Sequence, residues 1–305
     1  MMDLSIVIVN LNTCTLLAQC LASVYAHPPE GQFEVIVVDN ASTDGSAAMV
    51  SQRFPQARLI ENDHNLGFAR ASNQAIRQAV ARYVLLLNPD TCVRPGALQT
   101  LLGFMEVCLA AGAAGARLLD SEGGLQPSCH PAPTLAREMW RLFHLDGLHP
   151  VACYPMRRWD THTPRQVDVV QGACLLLRRE ALDQVGLLDE DYFLYSEEVD
   201  LCHRLRQAGW QVLWVPQAVM VHHGGQSTHQ APAACFLRLY QAKVLYFRKC
   251  HGRRAAQLYK LMLLTAVLVR LLLCPLAWLE GAPRRRQHLV LASHYRRLMR
   301  ALPGL

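Results

Sequence analysis

Three runs near the start of this 305-residue chain constrain its fold more than any other feature: 4–10 (LSIVIVN), 33–39 (FEVIVVD) and 83–88 (YVLLLN). Each is a nearly unbroken series of branched apolar residues that stops on Asn or Asp. A strand with one wet face alternates apolar and polar residues. A strand without that alternation is covered on both faces, as in a parallel sheet between helix layers. The intervening segments fit helices: 15–26 and 68–81 have helical spacing, and NASTDGS (40–46) offers caps for a helix through Phe54. A short strand is expected over 57–61, and Pro95 suits the first turn of another helix. The resulting β-α-β-α-β-α-β order predicts an α/β fold with a mainly parallel central sheet and right-handed crossovers.

Beyond this half the pattern loosens. Residues 120–165 are rich in Pro, Gly, His and Arg and read as loops with one short helix near 135–143. A long strand is expected over 167–178 (VDVVQGACLLLR), then a short helix at 181–186. A helix at 197–208 closes on Gly209, and a strand at 210–215 is followed by an extended segment at 219–223. From residue 231 the chain reads as helices with basic faces. This gives two domains, 1–230 and 231–305. Hydrophobic residues at 51% and charged residues at 18% exclude wholesale disorder. The net charge of +6 averages two unlike parts. Residues 1–230 hold 16 Arg against 23 Asp and Glu, whereas 231–305 hold 14 Lys and Arg against the single acid Glu280. Such a tail implies an anionic partner. The 11 cysteines show neither a CxxC pair nor zinc spacing, as expected of thiols in a reducing cytosol. MMDLSIVIVN has no basic region or cleavage site and reads as a first strand rather than a leader.

In open α/β sheets ligands bind at the carboxyl ends of the strands. The residues there are Asn10 and Asn12, Asp39, and Asn88 with Asp90. Asp39 suits either a ligand's N–H or hydroxyl, or a turn within DNASTDGS. Asp90 suits either a divalent metal that neutralises a diphosphate or an Asx turn. Glu197, Glu198 and Asp200 crowd a helix start, where the dipole favours acids. Three acids in four residues exceed what capping needs, and their repulsion would raise one toward usefulness as a general base. His222-His223 before two glycines suits a flexible site loop or metal ligation.

Taken in order, six segments resemble the inverting glycosyltransferases of family 2, which have the GT-A fold: SIVIVNLNT (5–13), FEVIVVDNASTDGS (33–46), NLGFARASNQAI (65–76), YVLLLNPDTCVRPGAL (83–98), 167–210 with its YSEEVDLCHR, and VHHGGQST (221–228). The NPD and YSEEVDLCHR segments are most similar to the rhamnosyltransferase-type branch, which decorates cell-surface polysaccharides. The resemblance implies that Asp39 binds the nucleobase and that Asn10, Asn65, Gly67 and Asn73 line the nucleotide. It implies that Asp90, with Asn88 beside it, holds Mg2+ or Mn2+ against the donor diphosphate, joined by His222. Gln171 and Gly172 then lie beside donor sugar and acceptor, and Glu198 is the catalytic base. Two departures stand out: Asn88 replaces a common first Asp, and Glu198 replaces the usual Asp. The implied reaction is a single in-line displacement at the anomeric carbon with inversion, most plainly of L-rhamnose from dTDP-rhamnose onto a hydroxyl of a glycan or lipid-linked acceptor. A UDP- or GDP-hexose transferase, a polyprenyl-phosphate sugar transferase and a non-catalytic nucleotide-sugar-binding subunit are the alternatives.

The stretch 261–279 is apolar but for Thr265 and Arg270. About eleven Leu or Val at roughly −0.5 kcal/mol each barely outweigh one central Arg at roughly +3 kcal/mol once Pro and Thr are included. Basic residues flank both ends, so no orientation across a bilayer is favoured. The expectation is an interfacial or re-entrant helix on an anionic membrane surface, its Arg side chains reaching headgroups, with packing on the catalytic domain or in a homo-oligomer as the alternative. No motif accompanies the charge that would suit nucleic acid. The enzyme would then sit on the cytoplasmic face of a membrane.

Overall fold

The computed structural model describes every residue except Met1, Leu148, 226–229 and 276–281, and leaves aside the side chains of 282–285 and 287. The end of the apolar stretch (276–279) and of the VHHGGQST motif (226–228) therefore lie outside the described residues.

The predicted alternation is present. β1 (Leu4–Asn10), α1 (Cys14–Ala26), β2 (Phe33–Asp39), α2 (Ser46–Arg53), β3 (Arg58–Glu61), α3 (Phe68–Gln78) and β4 (Tyr83–Leu87) follow one another. β5 (Thr91–Val93), α4 (Ala97–Val107), β6 (Ala111–Leu119), β7 (Leu125–Gln126), β8 (Cys129–His130) and α5 (Leu135–Leu142) come next. Then come β9 (Arg165–Gln166), β10 (Val169–Val170), β11 (Cys174–Arg178), α6 (Arg179–Val185), α7 (Glu197–Gln207) and β12 (Gln211–His222). The main sheet runs β3-β2-β1-β4-β11-β6-β12-β5. β3, β2, β1 and β4 are mutually parallel, and β12 is parallel to β6. β11 is inserted antiparallel between β4 and β6, and β5 is antiparallel to β12. The carboxyl ends of β1, β2, β4, β6 and β12 thus share one edge.

The unalternating runs are covered on both faces: Ile6, Val7 and Ile8, and Val84, Leu85 and Leu86, are all at most 1% exposed. Each such side chain contributes roughly 1.5–3 kcal/mol by leaving water. Three elements depart from the sequence expectation. The run 167–178 is not one strand: β10 pairs with β8 in a separate two-stranded sheet, and Gln171–Ala173 carries the chain across to β11. The expected strand and extended segment at 210–223 are one strand, β12, with a register shift between Val215 and Val219. β6 (AGAAGARLL) has no branched run to announce it, yet it is buried almost throughout. Its small residues are needed, since a Cβ on Gly115 would lie 2.1 Å from Val170 Cγ1.

Arg178 ends β11 but does not reach water. It is 7% exposed and donates to the carbonyls of Met105, Cys108 and Ala111, which satisfies the end of α4. All eleven cysteines are free thiols.

The chain forms two compact units. The first holds 1–132, 154–193 and 197–230, and so contains the whole sheet. The second holds 133–153, 194–196 and 231–305. It is built from α5, α8 (Pro232–Cys250), α9 (Gly252–Leu273) and α10 (Ala282–Ala301). Its core contains Tyr246, Phe247, Tyr259, Leu263 and Leu298. Glu138, fully buried, accepts from Lys243 Nζ at 2.6 Å inside it. Arg270 donates to Tyr295 Oη, the Leu142 carbonyl and His144. The expectation that Arg270 reaches lipid headgroups is replaced by this internal anchorage. Several large apolar side chains stay exposed: Leu258, Leu261, Leu268 and Leu272 on α9, and Leu289 and Val290 on α10.

Candidate active site

The first group lies where β1 and β2 end. The parallel register sets Asn10 opposite Asp39. Asn10 Nδ2 donates to Asp39 Oδ1 at 2.9 Å, and Ser42 N donates to Asp39 Oδ2 at 2.9 Å. Thr13 Oγ1 fixes the Asn10 amide from its other side at 2.6 Å. Asp39 is 4% exposed. It is therefore a turn former, and each oxygen keeps a further lone pair for a ligand donor. Beside it, a cavity of about 440 Å3 is lined by Asn12, Thr13, Cys14, Asp44 and Gln230.

The second group is the loop before α3. Asn65 Oδ1 accepts from Asn40 Nδ2 and from Gly67 N, both at 2.9 Å. Gly67 has φ +83°, and an added Cβ would lie 2.4 Å from the Phe193 carbonyl oxygen. That carbonyl accepts from Phe68 N at 2.7 Å. Asn73, on α3, is 1% exposed. It donates to the Leu188 carbonyl at 2.7 Å and to Glu190 at 3.0 Å. Gly67 and Asn73 thus tie α3 to segment 188–193, which leads toward the acids of α7.

The third group is the turn after β4. Thr91 N donates to the Asn88 carbonyl at 3.1 Å, closing a turn with Pro89 at its second position, where a fixed φ is favourable. β5 then pairs with β12, Thr91 opposite His222, so Asp90 is delivered to the histidine. His222 Nε2 is 3.2 Å from Asp90 Oδ1 and 3.3 Å from Asn88 Nδ2. Its Nδ1 is 2.7 Å from Gln126 Oε1. An amide oxygen accepts only, so Nδ1 carries the hydrogen and the Nε2 lone pair is turned toward the carboxylate. A proton on Nε2 or a bound cation can bridge these two atoms 3.2 Å apart. No cluster of three or more His, Cys, Asp or Glu suited to a metal is present among the described residues. The donor set of one carboxylate and one imidazole nevertheless fits an ion that takes its remaining ligands from water and a diphosphate.

Gln171 and Gly172 adjoin this turn. Gln171 N donates to the Ser128 carbonyl, and the Ala173 carbonyl, just after Gly172, accepts from Asn88 N at 3.1 Å and Thr91 Oγ1 at 3.3 Å. Gly172 is uncrowded: the nearest atom to an added Cβ is Phe68 at 3.9 Å.

The last group is the acidic start of α7. Tyr195 and Ser196 precede it with φ of 72° and 66°. Two successive non-glycine residues in this region cost roughly 1–2 kcal/mol each. Glu197 is 5% exposed and Glu198 is partly buried. One carboxylate oxygen of each is enclosed and has no hydrogen-bond partner among the described residues. Burial holds Glu197 well above the ordinary carboxylate value, and the neighbouring Glu198 charge adds to the rise. Burial also raises Glu198, and the N–H groups of Glu198 and Val199 offset part of that rise. Asp200 is different: it is buried, but its charge is met by Arg204 at 2.7 Å.

Three positioning residues were not foreseen: Gln126, Phe193 and Arg178. Gln126 lies on a two-residue strand that exists only through its pairing with β6, so no local pattern marks it.

The family profile of glycosyl transferase family 2 matches residues 5–186, more than half of the chain. N-acetylglucosaminyl-diphospho-decaprenol L-rhamnosyltransferase of Mycobacterium tuberculosis is 32% identical over 295 residues, covering 89% of this chain and 87% of that protein. The low-salt glycan biosynthesis hexosyltransferase Agl10 of Haloferax volcanii is 27% identical over 210 residues, covering 67% and 62%. Among solved structures, a mannosyltransferase from Pyrobaculum calidifontis in complex with GDP-Man and Mn2+ superposes with a TM-score of 0.58 at 20% identity, covering 99% of this chain and 84% of that one. TarS 1–349 of S. aureus gives 0.53 at 14% identity, covering 99% and 92%. With this sheet, these strand-end residues and these relatives, the chain belongs to glycosyl transferase family 2, as a GT-A enzyme of its rhamnosyltransferase-type branch.

Proposed function

We propose that this enzyme transfers L-rhamnose from dTDP-rhamnose, with inversion, to a hydroxyl of a lipid-linked glycan at the cytoplasmic face of a membrane. The observation that carries this reading is the 32% identity, over nearly the full length of both chains, to a rhamnosyltransferase named for a diphospho-decaprenol acceptor. Asp39 and Asn10 hold the nucleobase end of the donor. Asn65 shapes the loop beneath it, while Gly67 and Asn73 act on the segment that carries the base. Gln171 and Gly172 border the sugar, where the open face of Gly172 allows close approach. Glu198 takes the proton from the acceptor hydroxyl as that oxygen attacks the anomeric carbon. Glu197, buried and uncharged beside it, keeps water from the base. Asp90 and His222 would hold Mg2+ or Mn2+, with Asn88 alongside. A bound ion supplies charge neutralisation to the departing nucleoside diphosphate.

Residues 1–230 form the catalytic domain in this reading, and 231–305 the membrane-associating one. The exposed leucines of α9 and the 14 basic residues of this segment support the second assignment. The test is transfer to N-acetylglucosaminyl-diphospho-polyprenol from dTDP-rhamnose, compared with UDP- and GDP-hexoses, with and without Mn2+. Rhamnosylated product from the first donor alone is expected. Efficient transfer from a UDP- or GDP-sugar, with none from dTDP-rhamnose, would refute the donor assignment.

A further inference from the structure

The helical unit has a concave site that the transfer reaction does not use. Around the end of α8 and the start of α9, a cavity of about 350 Å3 is lined by Val244, Arg248, Arg253, Ala256, Gln257, Lys260 and Leu305. Arg253, Ala256, Gln257 and Lys260 are spaced to share one face of α9, and Val244 and Arg248 stand one turn apart on α8. Val244 and Ala256 are buried, whereas both arginines are exposed. None of the three cations has an ion pair or hydrogen bond among the described residues, and no Asp or Glu lines the cavity. Three cations against the single terminal carboxylate of Leu305 leave the cavity with an excess of positive charge, which favours entry of an anion. Two guanidinium forks and an ammonium match the oxygens of a phosphate ester, and the amide groups at the start of the 22-residue α9 favour the same charge.

The surface beyond the cavity selects between a soluble phosphate and a lipid. A soluble anion needs only the cations. Along α9, however, exposure continues past them through Leu261, Leu268, Val269, Leu272 and Leu273. Cations followed by a bare apolar face match the order of headgroup and acyl chain. We propose that Arg248, Arg253 and Lys260 form a recognition site for the phosphate headgroup of an anionic phospholipid, with the apolar face of α9 against its acyl chains. This rests on the membrane reading above and gives it a defined site.

The test uses the full-length chain and two triple variants. One removes the cavity's charges (Arg248→Gln, Arg253→Gln, Lys260→Gln). The other removes three charges elsewhere (Arg53→Gln, Arg157→Gln, Arg158→Gln). Each is co-sedimented with phosphatidylcholine vesicles, with and without phosphatidylglycerol, and inorganic phosphate binding is measured separately by calorimetry. Circular dichroism and dTDP binding check that both variants are folded. The unaltered protein and the comparison variant should bind phosphatidylglycerol vesicles alike, and the cavity variant about a hundredfold more weakly. Equal losses in both variants would reduce the effect to net charge and overturn the site. Undiminished binding by the cavity variant would overturn it too, while leaving membrane association standing. Inorganic phosphate binding as tightly as the vesicles would replace the lipid by a soluble anion. If the unaltered protein ignores phosphatidylglycerol vesicles, the site and the membrane reading fall together.

Discussion

Glu197 and Glu198 are adjacent in sequence, but their surroundings give them unequal charges. Glu197 is the more deeply enclosed and is raised by both burial and its neighbour's charge, so Glu198 ionises first. Glu197→Gln therefore replaces a neutral acid by a neutral amide, and most of the transfer rate should survive. Glu198→Gln removes the base and should lower kcat by about 10²–10⁴-fold with donor binding intact. Calorimetry with dTDP and steady-state kinetics separate the two, and equal losses in both variants would reject the division of roles. The pH dependence follows from the same shifts. A carboxyl raised in the folded state stays protonated where the unfolded chain has already ionised. Stability is then full below the ordinary value of 4.5 and declines as pH rises through the folded-state value. Glu197→Gln should flatten that decline in urea melts taken from pH 4.5 upward. Kcat should rise with pH as Glu198 ionises, with its midpoint above 4.5. At the same scale, Gln126 fixes the tautomer of His222. Gln126→Leu should weaken Mn2+ binding about 10–100-fold in calorimetry while leaving metal-free dTDP binding unchanged; unchanged Mn2+ affinity would remove Gln126 from the site.

Among the elements, β1, β2 and β4 were legible because burial on both faces leaves a direct trace in sequence. Their terminal Asn10, Asp39 and Asn88 were legible for the same reason: a polar residue directly after such a run marks the sheet's edge. β6 was not legible, because its packing against Val170 demands Ala and Gly, which carry no strand pattern. The split of 167–178 was hidden in a run of similar apolar residues whose two halves pair with different partners. Gln126 depends on β7 pairing with β6, and that contact is invisible locally. The loop before α3 was recognised as a motif, but its geometric reason comes from Phe193. Gly67→Ala would press a Cβ to 2.4 Å from a backbone oxygen in a left-handed conformation. Stability should fall by roughly 1–3 kcal/mol. Activity should fall further than stability, since the displaced Phe193 lies four residues before Glu197. Urea titration and kcat measured well below the melting point distinguish the two losses; a kcat unchanged in folded protein would show that the contact serves packing alone.

Across the whole molecule the charge separates by segment: 23 acids against 16 arginines in 1–230, and 14 basic residues against one acid in 231–305. The sequence made this legible but left Arg270 ambiguous, because a lone arginine in an apolar helix could face lipid, water or protein. The structure gives it Tyr295, Leu142 and His144, so its charge is met inside the helical unit. What then faces outward on α9 is leucine beyond the basic start. Attachment to a membrane should accordingly have two separable parts. The electrostatic part is screened as the Debye length falls from about 8 Å near physiological salt to about 3 Å at 1 M. The apolar part is not. Vesicle binding should therefore weaken with added salt but level off above zero. The double variant Leu261→Ser, Leu272→Ser should bind at low salt and release completely at high salt. Transfer to a long-chain lipid-linked acceptor should fall with vesicle binding in that variant, whereas transfer to a short-chain, water-soluble acceptor should not, because both leucines belong to the helical unit and the strand ends that hold the donor to the other. Complete release of the unaltered protein at high salt would mean that charge alone holds it, and the exposed leucines would then need a protein partner instead of a bilayer.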